Sequence, residues 1–415
     1  MLLAIHRGSH QIGGSCVEIA TASTRIILDV GLPLDKLGQR SVGPQADPLI
    51  SAVFAKSPPV SGVLLSHAHA DHTGLVRLVP RPVPIYLSQG TSKMIYAGAL
   101  YAGQPEVPRA QQRELRPGVP KAIGDITVTA CPVDHSAFDS QAFLIEADGQ
   151  RLLYSGDLRL HGRKPGMVRA LLNALSNKPV DVLLMEGTHF SADRKPGVTE
   201  YELEDVIRFD IKTAPGLVLA SFSPMHIDRL VTFYKATLRA GRVFVVDHYG
   251  AFVLYLVSHQ ASLPRAEAAA GIRVFLPQRR IVNPKVEAEV AYDPIKLEEI
   301  LTRPDGYVML FRCSMLERDF AGKLPERVRC LYSYWSGYLD QPDWQKARAK
   351  VAEAGGDFLQ RHTSGHIHAA DIVDFVHAIN PRHVIPIHTA RPEEFRKHFP
   401  NARLLRDGEG HDLGK

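Results

Sequence analysis

Residues suited to binding metal ions are concentrated in one short stretch, 66–74, which reads Ser-His-Ala-His-Ala-Asp-His-Thr-Gly. His67 and His69 are two residues apart, so in an extended segment their imidazoles project to the same side. Asp71 and His72 are adjacent and diverge at a helix start, so they can serve a different ion. Imidazole and carboxylate ligands together suit Zn²⁺. Because one tetrahedral ion cannot use all four side chains and keep an open position, the pattern predicts two neighbouring metals.

The sequence on either side predicts where this stretch lies in the fold. The apolar run at 63–65 indicates a buried strand, and the spacing of Leu75, Leu78 and Val79 predicts a helix. The stretch is therefore expected on a loop at the C-terminal end of a strand, where α/β proteins usually carry their chemistry. The alternative is a polar surface loop that is rich in histidine, and the order of ligand types between a strand and a helix argues against it.

The H-x-H-x-D-H order resembles the second motif of the metallo-β-lactamase superfamily. The resemblance implies that further site residues stand at strand ends along the chain. His135 follows a predicted strand at 126–130 and would be the third imidazole of the first metal. Asp157 also follows a strand and matches the bridging aspartate of the superfamily. Asp29 matches a carboxylate that braces the metal loop by hydrogen bonds, although read alone it is only a turn residue.

Length and composition set broader limits on the protein. A chain of 415 residues exceeds one ordinary domain, and 45% hydrophobic with 22% charged residues is typical of a globular protein. No apolar run reaches about 18 residues, so we expect no membrane span, and the apolar N-terminal stretch is too short for a signal peptide. The net charge of +5 permits a nucleic-acid partner without requiring one, because 49 basic residues face 44 acidic ones.

The four cysteines are far apart and form no C-x-x-C pair. This distribution is typical of free thiols in a reducing compartment rather than of a disulfide framework, so we expect a cytoplasmic protein. The residues are Cys16, Cys131, Cys313 and Cys330.

A long alternation of strands and helices interrupts the metal-binding part of the sequence. Such alternation with apolar strands predicts a separate parallel sheet. The remaining candidate ligand, His388, follows a strand at 383–387, far beyond Asp157. A compact domain does not need so long a spacing, so the middle region is predicted to be an inserted domain. The predicted parts are 1–189 and 361–415 for the metal-binding domain and 190–360 for the insertion.

A metallo-β-lactamase domain with such an insertion resembles the β-CASP family of nucleases, which includes the J-type ribonucleases and the cleavage-and-polyadenylation endonuclease. The resemblance implies an α/β fold, an αββα sandwich with an inserted α/β domain that carries a mainly parallel sheet. Glu186 matches the acidic motif A, His366 motif B and His388 motif C. In this family a histidine at motif C accompanies RNA processing, whereas DNA-repair members carry an aliphatic residue there.

The resemblance also implies a ligand set and a reaction. Two Zn²⁺ ions are expected, with Mn²⁺ as the alternative, and two such ions activate a water for attack on a phosphodiester of RNA. The reaction is expected in the cleft between the two domains. The first ion would be held by His67, His69 and His135, the second by Asp71, His72 and His388, with Asp157 bridging.

Three residues are expected to be catalytic: His366, Asp71 and Glu186. His366 would protonate the departing O3′ of the RNA. Glu186 and Asp29 would orient the ligand histidines from outside the ligand set.

A phosphate-binding position is expected just before the helix predicted at 369–379. Ser364 and the backbone amide of Gly365 lie there, and the N-terminus of a helix attracts phosphate. The alternative for Ser364 is that it is merely a turn residue.

Single-stranded RNA is the expected partner, with no membrane and with a homodimer left open. The alternatives are a DNA nuclease, a small-molecule hydrolase such as a lactonase or thioesterase, and a non-catalytic RNA-binding scaffold. His388 argues against the first, the large insertion against the second, and the complete ligand set against the third. We expect neither the C-terminal domain of J-type enzymes nor the N-terminal extension of archaeal members, so endonuclease and 5′-exonuclease modes stay open.

Overall fold

The structure, a computed structural model, forms two compact units. One unit comprises Met1–Pro196 with Gly365–Lys415, and the other comprises Gly197–Ser364. The predicted start of the insertion at 190 adjoins residues 191–196, which lie outside the described part of the chain. The described residues are 1–36, 47–190, 197–261, 263–276, 283–290 and 292–414.

The first stretch of the chain alternates strands with short helices. Its strands are β1 (Leu2–Arg7), β2 (Cys16–Ala20), β3 (Arg25–Leu28), β4 (Val60–Leu64), β5 (Ile85–Leu87), β6 (Gln112–Glu114), β7 (Lys121–Ile123), β8 (Ile126–Pro132), β9 (Gln141–Ala147), β10 (Gln150–Tyr154) and β11 (Val182–Glu186). Its helices are α1 (Pro48–Ala55), α2 (Ala70–Thr73), α3 (Gln89–Ala102) and α4 (Gly166–Leu175).

The inserted unit has strands β12 (Val218–Ser221), β13 (Val243–Asp247), β14 (Ile272–Phe275), β15 (Pro294–Ile295), β16 (Tyr307–Leu310), β17 (Arg329–Tyr332) and β18 (Asp357–Gln360). Its helices are α5 (Glu200–Thr213), α6 (Ile227–Arg239), α7 (His248–Val257), α8 (Pro284–Val290), α9 (Leu297–Thr302), α10 (Cys313–Arg318) and α11 (Pro342–Glu353). The returning segment adds α12 (Ala369–Ile379), β19 (His383–Ile387), α13 (Glu393–His398) and β20 (Gly410–Asp412).

The returning strands complete both sheets of the first unit. β20 pairs with β1 in an antiparallel manner, and β19 pairs with β11 in parallel. Within the described chain, one sheet has the order β20-β1-β2-β3-β4-β5-β6 and the other β19-β11-β10-β9-β8-β7. The metal-binding domain is therefore built from both ends of the chain.

The main core of the first unit lies between these two sheets, because alternate residues of a strand face opposite sides. Leu152 and Tyr154 of β10 belong to the core that also includes Leu3 and Ile19 of the other sheet. Leu153, between them, packs on the outer side with residues of α4, α12 and α13. Two stacked sheets with helices outside agree with the predicted sandwich.

The inserted unit has its own sheet, with the order β15-β14-β13-β16-β12-β17-β18 among the described residues. Every pairing in it is parallel. Its central strands are buried along their whole length, as in β12 and β16, which is the pattern of a sheet covered on both faces. The predicted α/β fold class with an additional parallel sheet is confirmed.

The helix predicted from Leu75, Leu78 and Val79 is wrong as a single element. The chain forms the short helix α2, which ends at Gly74, followed by a 3₁₀ turn at Val76–Leu78. The N–H of Leu75 donates to the carbonyl of Val30 at 2.9 Å, so it is not available to continue the helix. A contact with a distant loop therefore overrides the local apolar spacing. None of the helices among the described residues is both long and apolar enough to cross a membrane.

A buried charged group joins the first three strands. Nε and Nη2 of Arg25 each donate a hydrogen bond of 2.8 Å to the Glu18 carboxylate. Nε2 of His6 lies 2.8 Å from the same carboxylate. Burial alone would raise the pKa of Glu18, but the hydrogen bonds from Arg25 and His6 outweigh it and lower the pKa from 4.5 to about 2. Glu18 therefore stabilises the fold as an anion.

We expect Glu18→Gln to lower the free energy of unfolding by about 1–3 kcal/mol at neutral pH. The folded-state pKa is depressed, so this stabilisation is present above pH 4.5 and is lost as the pH falls towards 2. Urea unfolding of both proteins at pH 7 and pH 3 should therefore show a difference that shrinks on acidification. Glu114→Gln, which changes an exposed carboxylate 3.9 Å from Arg116, is the control and should have little effect at either pH. A difference for Glu18→Gln that is equal at both pH values would contradict the assignment.

Candidate metal centre

The histidine-rich stretch lies where the sequence predicts, in the loop after β4. His69 is the N-terminal cap of α2, so His67 and His69 lie in extended backbone while Asp71 and His72 lie in the helix. His67 and His72 are completely buried, in contrast to solvated surface histidines. The loop therefore presents two pairs of side chains in different directions.

The first predicted ligand set converges on a common point. Nδ1 of His69 lies 3.2 Å from Nε2 of His67 and 3.2 Å from Nε2 of His135. A tetrahedral Zn²⁺ ion with Zn–N bonds of about 2.0–2.1 Å separates its nitrogen ligands by about 3.3–3.4 Å. The spacing of these three imidazoles therefore fits one metal ion.

The second predicted set also converges. Nε2 of His388 lies 3.2 Å from Oδ2 of Asp71, and Nε2 of His72 lies 3.2 Å from Oδ2 of Asp157. All four side chains offer one donor atom within 4.8 Å of the others. His388 is brought to this position from β19, near the end of the described chain, and its φ of 52° is left-handed. Strained backbone of this kind in a non-glycine residue is typical of functional sites.

Asp157 lies between the two sets. Its Oδ2 atom is 3.7 Å from Nε2 of His67, 3.8 Å from Nε2 of His135 and 3.9 Å from Nε2 of His388. Within the described part of the chain, both of its carboxylate oxygens are buried and make no hydrogen bond, and the same is true of Nε2 of His72. Buried carboxylates are costly without a partner, so these atoms fit a site for cations.

Protonation at the site also fits metal binding. Burial lowers the pKa of His67 and His135 well below the usual value and that of His69 to about 4, so their lone pairs are available. Burial acts in the same direction on His72, but the carboxylates of Asp157 and Asp29 outweigh it and raise its pKa well above the usual value. The carboxylates around His72 therefore favour a positive charge at this position, which suits a metal ion. The fold and these groups together indicate divalent metal binding.

Asp29 braces the metal loop in the way the sequence predicts. Its carboxylate accepts hydrogen bonds from the Ser66 N–H and hydroxyl at 2.8 Å and from the Tyr154 hydroxyl at 2.7 Å. Nδ1 of His72 lies 2.7 Å from the same carboxylate. A bond at Nδ1 fixes the ring so that Nε2 faces the second set. Ser66 and Tyr154 were not predicted, although Ser66 directly precedes His67 and Tyr154 lies three residues before Asp157.

Gly365 has a different contact from the one predicted for it. Its carbonyl oxygen lies 2.5 Å from Nδ1 of His135, so it holds that ring with Nε2 towards the first set. A Cβ atom at this position would lie 2.3 Å from Oγ of Ser136, so the close approach requires glycine. The expected phosphate-binding role of Ser364 and the Gly365 amide stays a prediction, and α12 begins only at Ala369.

His366 and Glu186 form a pair beside the two sets. Nδ1 of His366 is 3.1 Å from Oε2 of Glu186 and 3.7 Å from Oδ2 of Asp157. Burial lowers the pKa of His366, but the Glu186 and Asp157 carboxylates outweigh it and raise the pKa to about 9. Glu186 was expected to orient a ligand histidine. Among the described contacts its imidazole partner is instead His366, the expected proton donor.

Thr188 is a further site residue that the sequence did not reveal. Its Oγ1 atom lies 2.9 Å from Nδ1 of His388 and 3.2 Å from Nδ1 of His366. A hydroxyl residue two positions after Glu186, at the end of a predicted strand, is the only signal in the sequence, and such residues are common in turns.

Comparison with known proteins agrees with this fold. Residues 24–227 match the family described as beta-lactamase superfamily domain. The chain is 25% identical over 267 residues to an RNase J-like protein of Methanocaldococcus jannaschii, covering 60% of this chain and 58% of the relative. It is 24% identical over 246 residues to ribonuclease J of Helicobacter pylori, covering 58% of this chain and 35% of the relative. It is 23% identical over 355 residues to ribonuclease J of Mycobacterium tuberculosis, covering 79% of this chain and 58% of the relative.

The matched region of this chain spans less than two thirds of the length of these curated relatives. A crystal structure of a protein of unknown function from Enterococcus faecalis V583 has the same fold, with a TM-score of 0.78, 22% identity and 99% of both chains covered. Residues 24–227 therefore match the beta-lactamase superfamily domain, and the chain is similar to proteins named ribonuclease J.

Proposed function

We propose that the protein is a ribonuclease that hydrolyses phosphodiester bonds of RNA with two metal ions. The observation that carries the proposal is the Asp157 carboxylate, which faces both ligand sets and also lies beside the His366–Glu186 pair. Two metals about 3.5–4 Å apart are the usual arrangement for in-line displacement at phosphorus. The relatives named ribonuclease J support RNA as the substrate.

Seven side chains would hold the metals. When bound, the ions would act as Lewis acids: they would lower the pKa of the water that attacks phosphorus and neutralise charge on the phosphate oxygens. Zn²⁺ is the proposed metal because the first set is made only of imidazoles, and Mn²⁺ is the alternative. The proposed ligands are His67, His69 and His135 for the first ion and Asp71, His72 and His388 for the second, with Asp157 shared.

His366 is the proposed proton donor for the leaving O3′. Glu186 binds its Nδ1 and keeps the ring in one orientation, so Nε2 is the atom that can meet the substrate. The same carboxylate accepts the backbone N–H of Leu158 at 3.0 Å, so it is fixed by the fold. Asp71 is the proposed catalytic carboxylate through its place in the second ligand set.

Single-stranded RNA is the proposed substrate form, and a homodimer is compatible with the family resemblance. All four cysteines are free, which is typical of a reducing compartment and supports a cytoplasmic location. The convergence of all seven proposed ligands argues against a scaffold that has lost its metals. No observation favours a DNA nuclease or a small-molecule hydrolase.

The proposed function predicts two metal ions per chain and cleavage that depends on them. Elemental analysis should find two ions, and a chelator should abolish cleavage of labelled single-stranded RNA until metal is restored. Single-stranded RNA should be cut far faster than DNA of the same sequence or a β-lactam, with binding that weakens in salt. RNA labelled at either end, with 5′-phosphate or 5′-hydroxyl, also separates endonuclease from exonuclease action. One metal or none in active protein, or equal turnover of DNA, would contradict the proposal.

A further inference from the structure

We propose that Thr188 is a positioning residue whose hydroxyl group fixes the orientation of both His388 and His366. The inference rests on the proposed function, in which these histidines are a metal ligand and the proton donor. Thr188 Oγ1 lies 2.9 Å from Nδ1 of His388 and 3.2 Å from Nδ1 of His366, and it donates to the His388 carbonyl oxygen at 3.4 Å. One side chain therefore contacts two functional residues.

The number of hydrogen bonds that the Thr188 hydroxyl can donate and accept bears on which nitrogen of the His388 and His366 rings carries the proton. A threonine hydroxyl has one proton and two lone pairs. In the arrangement we propose, the hydroxyl proton is directed to the His388 carbonyl, and the two lone pairs accept the Nδ1–H groups of the two rings. His388 then keeps an unprotonated Nε2, which lies 3.2 Å from Oδ2 of Asp71 in the second ligand set. Thr188 thereby selects the tautomer that a metal ligand requires.

The same hydroxyl gives His366 a second contact in addition to Glu186. The Nδ1 of this ring lies between Thr188 Oγ1 at 3.2 Å and Glu186 Oε2 at 3.1 Å. Two contacts at one nitrogen restrict rotation of the ring more than one. The hydroxyl therefore helps to hold Nδ1 of His366 at Glu186, which leaves Nε2 as the other ring nitrogen.

The pairing of β11 with β19 places Thr188 beside His388. Glu186 pairs with Ile387, and the N–H of Gly187 extends the pairing by donating to the Ile387 carbonyl at 3.1 Å. A Cβ atom on Gly187 would lie 2.7 Å from Phe395 and 3.0 Å from Thr389, so only glycine allows this close approach. In this register Gly187 lies opposite His388, and Thr188 follows one residue later, with its hydroxyl 2.9 Å from Nδ1 of His388.

The test compares Thr188→Val, which keeps the shape and loses the hydroxyl, with Thr188→Ser, which keeps the hydroxyl. Metal-free protein is titrated with Zn²⁺ or Mn²⁺ by calorimetry. We expect one of the two ions to bind roughly 10–100-fold more weakly in Thr188→Val and close to normally in Thr188→Ser. In RNA cleavage the valine variant should lose kcat rather than KM.

Thr237→Val is the matched control, because this buried threonine of α6 also loses one hydroxyl bond, to the Phe233 carbonyl at 2.6 Å. It should bind metal and cleave RNA normally. A second measurement avoids mutation: nitrogen NMR of histidine tautomers in the unaltered protein should show Nδ1–H at His388. Normal metal affinity in Thr188→Val, or an Nε2–H tautomer at His388, would overturn the inference. Because the titration needs no RNA, lack of cleavage by the unaltered protein would count against the proposed function alone.

Discussion

His366→Ala is expected to retain both metal ions and to hydrolyse RNA roughly 10²–10⁴-fold more slowly, the usual contribution of a general acid. His366 is held at Nδ1 by Glu186 and lies outside the seven proposed ligands. RNA whose leaving oxygen is replaced by sulfur should restore much of the rate, because a thiolate departs without protonation. Metal content, RNA affinity and rates on both substrates are the measurements.

Two further variants make this result specific. His388→Ala removes a proposed ligand, so it should lose or loosen one metal and gain nothing from the sulfur substrate. His377→Ala removes an exposed histidine of α12 and should behave normally. His366 also lies in a second group of possible ligands with Asp157, Glu186 and His388. Metal loss in His366→Ala would therefore mean that His366 is a ligand, and no relative rescue by sulfur would mean that it is not the acid.

Asp157→Asn is expected to have the largest effect on metal content, because the shared carboxylate loses its charge towards both ligand sets. Each ion should bind more than about 100-fold more weakly, and cleavage should fall at least as far. A ligand at 100 times its Kd stabilises the folded state by about 2.7 kcal/mol, so added metal should raise the Tm of the wild type and hardly that of the variant.

Asp148→Asn provides the matched control for this change. Asp148 lies in the turn between β9 and β10 with a φ of 50°, a conformation that asparagine accepts readily. This carboxylate is about half exposed and pairs only with the N-terminal amine among the contacts described for it. The control should keep both metals and full activity. A metal-dependent rise in Tm of equal size in Asp157→Asn and the wild type would contradict the shared role.

The residues proposed as metal ligands could be identified from the sequence because local sequence carries their signal. Each lies just after an apolar strand, and the order of histidine and aspartate at 67–72 indicates metal binding on its own. The helix at 369–379 was predictable from the same kind of local pattern, and the structure has α12 there.

Thr188 and the carbonyl of Gly365 could not be predicted because their roles depend on distant pairing. Thr188 meets His388 only through the register of β11 against β19, and Gly365 meets His135 only because the returning segment passes beside β8 and the loop after it. No local pattern encodes either contact. The helix ends after Thr73 for a similar reason, because the N–H of Leu75 donates a hydrogen bond to the carbonyl of the distant residue Val30.

The pairing of β11 with β19 also determines when the protein can acquire its metals during synthesis. Between these strands the ribosome must make the inserted unit, roughly 170 residues, which takes on the order of 10–30 s. During this interval the buried strand β11 has an open edge, and nascent chains with unpaired edges are prone to aggregate. The proposed second ligand set is incomplete until His388 has emerged, so we expect metal to enter it only late in synthesis.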